Sequence, residues 1–146
     1  MIHLRQQIRE ALADALGDQP TSATRIYTSR VYPFDALPCL AVYTPSEERD
    51  EDADVQGGPE VRKLVLRVEC RAESTDGVDD ALDTLCAEVE AAVYADPGLA
   101  GLAMDTRLLA TTIELSDEGK QPTGLAVMDF ETFYEVNASD PEIGIP

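Results

Sequence analysis

Apolar residues recur every four positions at Leu4, Ile8, Leu12 and Leu16, and Ala11 and Ala15 broaden the stripe. That spacing matches the turn of an α-helix and predicts a first helix with one buried face, closed by Gly17, a residue suited to a helix C-terminus. Arg5, Gln6, Arg9, Glu10 and Asp14 fall on the other face, which places this helix on a surface. The run Arg25 to Val31 is β-prone. After the breakers Pro33 and Pro38 comes a second β-prone run, Leu40 to Thr44, which should end at Pro45.

Residues 46–60 have no apolar period, are crowded with acids and close on Gly57-Gly58-Pro59, so they read as a mobile acidic loop. Leu64, Leu66, Val68 and Cys70 then alternate with Lys63, Val65, Arg67, Glu69 and Arg71, the period of two of a strand with one buried face. Val78, Leu82, Leu85, Val89 and Val93 return to helical spacing. Ser74, Thr75 and Asp76 are candidate caps for that second helix, Asp79 and Asp80 suit its positive end, and Asp96-Pro97-Gly98 stops it.

Leu109, Thr111, Ile113 and Leu115 alternate in a further strand, and Ser116 to Gly124 reads as a turn. In the last strand, Leu125 to Val136, one face carries Met128, Phe130, Thr132, Tyr134 and Val136 and the other Asp129, Glu131, Phe133 and Glu135. The pattern predicts an α+β fold: a mainly antiparallel sheet of about four to five strands with two helices packed on one face. A single domain is expected over 1–137, followed by a short acidic tail, 138–146, that frays.

Composition narrows the function. At 146 residues and 44% hydrophobic the chain can fold around one core. Its 29 acidic and 11 basic residues give a net charge of -18, which disfavours direct binding to nucleic acid and to anionic membranes. Residues 1–9 lack the apolar region of a secretion signal, and no apolar run approaches the length of a membrane span, so a soluble protein is expected. Without a secretion signal, the sequon at Asn137 is read as coincidental. Cys39, Cys70 and Cys86 are odd in number and lie within apolar runs, which predicts buried thiols in a reducing compartment.

The chemical motifs are incomplete. Asp50, Asp52 and Asp54 imitate the start of a calcium loop, but Val55 stands where the turn wants glycine and Val61 where a carboxylate should close the shell. The one histidine, His3, has no nominated partner for a catalytic dyad, and one histidine with three scattered cysteines offers no zinc spacing. The carboxylates are abundant but exposed by pattern, and the glycines form no phosphate cradle. No catalytic, metal or cofactor site is expected.

A docking surface is better supported. Lys63, Val65, Arg67 and Arg71 share one face of a strand and Asp129, Glu131, Phe133 and Glu135 one face of another, so adjacent pairing would build a ladder of opposite charges. This face is a candidate subunit interface. Glu47, Glu48, Asp50, Glu51, Asp52 and Asp54 form a second candidate contact, in the acidic loop.

The opening Met1 to Leu12, the Arg30-Val31-Tyr32-Pro33 element leading to Leu37–Thr44, and the acidic loop before Lys63–Glu69 together resemble the tail terminator family of long-tailed bacteriophages, also called minor tail protein U. The likeness extends through the second helix and the closing strand, over 1–137. It implies a structural, non-enzymatic subunit without cofactors, forming a homo-oligomeric hexameric ring that caps the tail tube. The implied partners are the tail tube protein, contacted by the acidic loop, and the head-tail connector protein; the implied location is the virion tail, assembled in the host cytoplasm. A head-to-tail adaptor or tail completion protein shares this composition. From another class, the charge alone would suit an acidic DNA-mimic inhibitor.

Overall fold

The structure is a computed structural model that describes residues 2–18, 25–29, 37–53, 59–116, 122–137 and 139–144. The four-residue stripe forms helix α1 (Leu4–Gly17), which buries Leu4, Ile8, Leu12 and Leu16. His3 caps its start, the ring Nδ1 accepting from the Arg5 backbone N–H at 3.0 Å, so one of the donors that every helix start leaves over is satisfied. Gly17 is the last helical residue, and Asp18 caps the end in right-handed geometry.

The strands are β1 (Ile26–Tyr27), β2 (Cys39–Arg49), β3 (Glu60–Glu73), β4 (Asp105–Ser116), β5 (Thr123–Asn137) and β6 (Asp140–Gly144), with helix α2 (Val78–Ala95) between β3 and β4. Among the described residues they form one six-stranded sheet in the order β1-β2-β3-β5-β4, with β6 also paired to β5. All pairings are antiparallel except β1 with β2. The α+β architecture therefore holds, with six strands. Both helices lie on one face: α2 covers β3, β5 and part of β4, while α1 covers β1 and β2 and touches β6.

The core follows the alternation. Leu64, Leu66, Val68 and Cys70 of β3 and Met128, Phe130, Tyr134 and Val136 of β5 join the helices' buried stripes in one cluster. Thr132 is buried on the same face and donates to the Thr106 hydroxyl at 3.3 Å. Cys39, Cys70 and Cys86 are free and buried. At the start of α2 the Ser74 hydroxyl accepts from the N–H groups of Asp76 and Gly77 at 3.3 and 3.2 Å, while the N-cap itself is Gly77. No helix among the described residues is long and apolar enough to cross a membrane.

The structure corrects four expectations. The strand expected over 25–31 pairs only at Ile26 and Tyr27, and residues 30–31 lie outside the described residues. β2 does not end at Pro45 but runs to Arg49, because a bulge between Tyr43 and Ser46 takes Thr44 and Pro45 off the β3 ladder, where a missing N–H costs nothing. The acidic loop thus loses 46–49 to the strand, and Glu51–Ala53 forms a 3-10 turn. The tail forms β6, turned by the Asn137 side chain, whose Oδ1 accepts from the Ser139 N–H at 3.0 Å and its hydroxyl at 2.8 Å.

Candidate assembly surface

The eight candidate interface residues do share one face, on the side of the sheet away from the helices. β3 and β5 are neighbours over their whole length, with Lys63 opposite Phe133, Val65 opposite Glu131, Arg67 opposite Asp129 and Arg71 opposite Leu125. Arg67 grips Asp129 through two hydrogen bonds of 2.7 and 3.0 Å. That carboxylate holds the guanidinium well above its ordinary pKa, as two parallel charge-assisted bonds should. Lys63 reaches Glu48 at 3.0 Å and Glu131 at 3.8 Å, and Glu48 raises its pKa. Glu131 also takes Arg107 of β4 at 3.1 Å, and the Arg107 guanidinium lies 5.3 Å from the centre of the Phe133 ring.

The ladder is not a simple succession of opposite pairs. Arg71 turns to Glu69 of its own strand at 3.7 Å, and Glu135 stands opposite Val61. Tyr43 of β2 donates to Glu69 at 2.8 Å, and burial together with that bond raises the phenol's pKa. The face is therefore a lattice of bonds closed within the subunit, spanning β2, β3, β5 and β4.

Of the acidic residues expected in a loop, Glu47 lies elsewhere in character. It is on the helix side of β2, where its carboxylate takes Arg5 of α1 at 2.8 Å, lies 3.6 Å from Arg62 and accepts from the hydroxyl of buried Tyr134. Burial, then the Glu47 bond, pushes the Tyr134 phenol up. Arg62 also pairs with Glu60 at 2.9 Å; burial pulls its pKa down, but the Glu60 bond and its neighbours outweigh that and raise it. Glu48, Glu51 and Asp52 are exposed and Asp50 is half-buried, its N–H donating to the Val61 carbonyl at 2.8 Å. Asp54 lies outside the described residues. Among the described residues no group of three or more His, Cys, Asp or Glu side chains is arranged to hold a metal.

Pattern reading missed the outer margin of the sheet. β4 is the last strand, and a bulge between Leu108 and Ala110 shifts its phase. Thr106 and Leu108 face the core before the bulge; after it Thr111, Ile113 and Leu115 take that side, opposite Met128, Ala126 and Gly124. The expected strand forms, but its helix-side apolar residues are uncovered, Ile113 and Leu115 being 47% and 54% exposed. Leu109, expected to share their side, falls in the bulge, lines the other face beside Val65 and Glu131, and is 53% exposed. Tyr94 of α2 is also exposed, its hydroxyl accepting from the Leu108 N–H at 3.3 Å. Alternation gives the phase of a strand but not what lies over it, so the sequence carries no sign of this.

A cleft of about 420 Å³ opens at the end of the sheet between Leu37, Arg71, Glu73, Leu115 and Leu125, with no histidine or cysteine in its lining.

No family model and no curated protein matches the chain. Among solved structures, it is similar to a chain of one described as "Virion of native gene transfer agent (GTA) particle", with 16% identity and a TM-score of 0.40, over 91% of this chain and 92% of that chain.

Proposed function

We propose that this chain is a structural subunit of a long-tailed, phage-like particle that closes into a ring, caps the tail tube and offers a surface for head joining, as a tail terminator does. The observation that carries the reading is β4, a twelve-residue end strand with three large apolar side chains about half exposed. Such a margin is a template for another chain unless something covers it. Repeated contacts between unlike surfaces close into a ring when the rotation per subunit permits.

The residue likeness set out above supplies the particle and a ring of six. Two groups that could perform chemistry have structural tasks: His3 caps α1, and Glu47 holds Arg5, Arg62 and Tyr134. In this reading Lys63, Val65, Arg67, Arg71, Asp129, Glu131, Phe133 and Glu135 contribute complementarity with neighbouring proteins more than affinity, since many of their charges are already paired. Glu48, Asp50, Glu51, Asp52 and Asp54 are the acids offered to the tube, and an acidic lumen lets DNA pass without adhering.

Electron microscopy of particles assembled without this chain tests the role. Overlong tubes are expected. Tails of normal length that fail to join heads would replace this reading with the adaptor. Unaltered particles, with capture of the chain by basic DNA-binding proteins alone, would replace it with the acidic inhibitor.

A further inference from the structure

The midpoint of the sequence is also the midpoint of the sheet. Residues 1–73 build α1, β1, β2 and β3, and residues 74–146 build α2, β4, β5 and β6, so in the order β1-β2-β3-β5-β4 each half of the chain owns one side. Charge is divided unequally between them. Residues 1–73 hold nine basic and thirteen acidic residues, a net of -4, whereas residues 74–146 hold two basic and sixteen acidic, a net of -14.

We propose, on the reading that copies of this chain assemble, that successive copies meet head to tail across opposite margins of the sheet. The β4 margin of one copy, led by Ile113 and Leu115, docks on the margin of the next that is built by β1, β2 and α1. Two arguments select this occupant and this orientation.

The first is electrostatic. Joining two β4 margins would bring two halves of -14 together, while the head-to-tail contact brings -14 against -4. At equal distance the product of facing charges falls by a factor of about 3.5. Nine of the eleven basic residues lie in the half that receives β4, including Arg25 just before β1 and Arg49 at the end of β2. The exposed acids Asp79, Asp80 and Asp83 of α2 and Glu114 of β4 lie in the half that β4 presents.

The second is the fit of the margin itself. β4 carries only Asp105, Arg107 and Glu114 as charges along its twelve residues, so it is the least repulsive strip of its half. Tyr94 already occupies the Leu108 N–H, so an incoming copy meets β4 from Ala110 onward, where Ile113 and Leu115 stand exposed.

Complementary defects distinguish the arrangements. One variant carries Ile113→Lys, backed by Leu115→Lys in case the first does not fold; the other carries Arg25→Glu with Arg49→Glu. Circular dichroism and unfolding midpoints confirm that each is folded. In sedimentation velocity at about 0.15 M salt, where charges still act over about 8 Å, the unaltered chain at high concentration is expected to form species larger than a monomer. Each variant alone is expected to be a monomer, and an equal mixture to give a dimer, joined by the one intact margin that each supplies. Self-association of the Arg25/Arg49 variant would show β4 meeting β4 and overturn the proposal. So would assembly of both β4 variants at the unaltered level, which would leave self-assembly standing but move it to another surface. An unaltered chain that stays monomeric at every concentration and salt would overturn the assembly reading itself.

Discussion

Glu47 and Glu48 are adjacent acids separated only by the pleat of β2, which leaves Glu47 12% exposed and Glu48 70% exposed. Glu47→Ala removes the acceptor of the buried Tyr134 hydroxyl and the partner of Arg5 and Arg62, and is expected to cost about 1–3 kcal/mol in urea unfolding. Glu48→Ala should stay within about 0.5 kcal/mol. Their difference was illegible in the sequence, because an acid at a core-facing position reads as the end of a strand. Tyr134 held the one hint, since a buried phenol needs an acceptor.

His3 makes a pH prediction. Burial, then Arg5, lowers its pKa from the ordinary 6.5, and the Nδ1 that accepts from Arg5 must be unprotonated to do so. Above pH 6.5 the ring is neutral whether the chain is folded or unfolded and contributes no pH dependence. Below it the unfolded chain binds a proton more readily, so stability falls with pH until the folded-state pKa is passed. His3→Asn, which keeps a capping side chain, should unfold with a shallower dependence between pH 6.5 and 5 than the unaltered chain.

At Gly124 the side chains of helix α2 fill the space above β5 where the strand has no side chain of its own. A Cβ on Gly124 would come within 2.6 Å of Leu82 Cδ1 and 3.0 Å of Val78 Cγ2. Gly124→Ala is therefore expected to destabilise by about 1–3 kcal/mol, and by less in a Leu82→Ala background, a coupling that denaturant titration of all four chains measures. The sequence disclosed most of this layer. Periodicity located α1, α2, β3 and β5 because each has one buried face. It misjudged β2, whose proline hides in a bulge, and β6, whose pairing depends on the Asn137 side chain and not on apolar alternation. It located β4 but not its exposure, because coverage by a helix is a fact of packing between distant segments.

Across the whole molecule the charge of -18 opposes association of copies. The screening length falls from about 10 Å at 0.1 M salt to about 3 Å at 1 M, so self-association should strengthen as salt is added, the reverse of an assembly held by ion pairs. Sedimentation across that range measures it. The charge was plain from composition; the unequal division between the two sides of the sheet emerges only when strand order is known.

The central pairing of β3 with β5 has a further consequence, in time. β3 is complete at Glu73 and β5 only at Asn137, with α2 and β4 made between them. At about 5–20 residues per second of synthesis, the apolar side of β3 waits for seconds at the ribosome, and β4 must stand apart from it. The last long strand to emerge is the one that fills the middle.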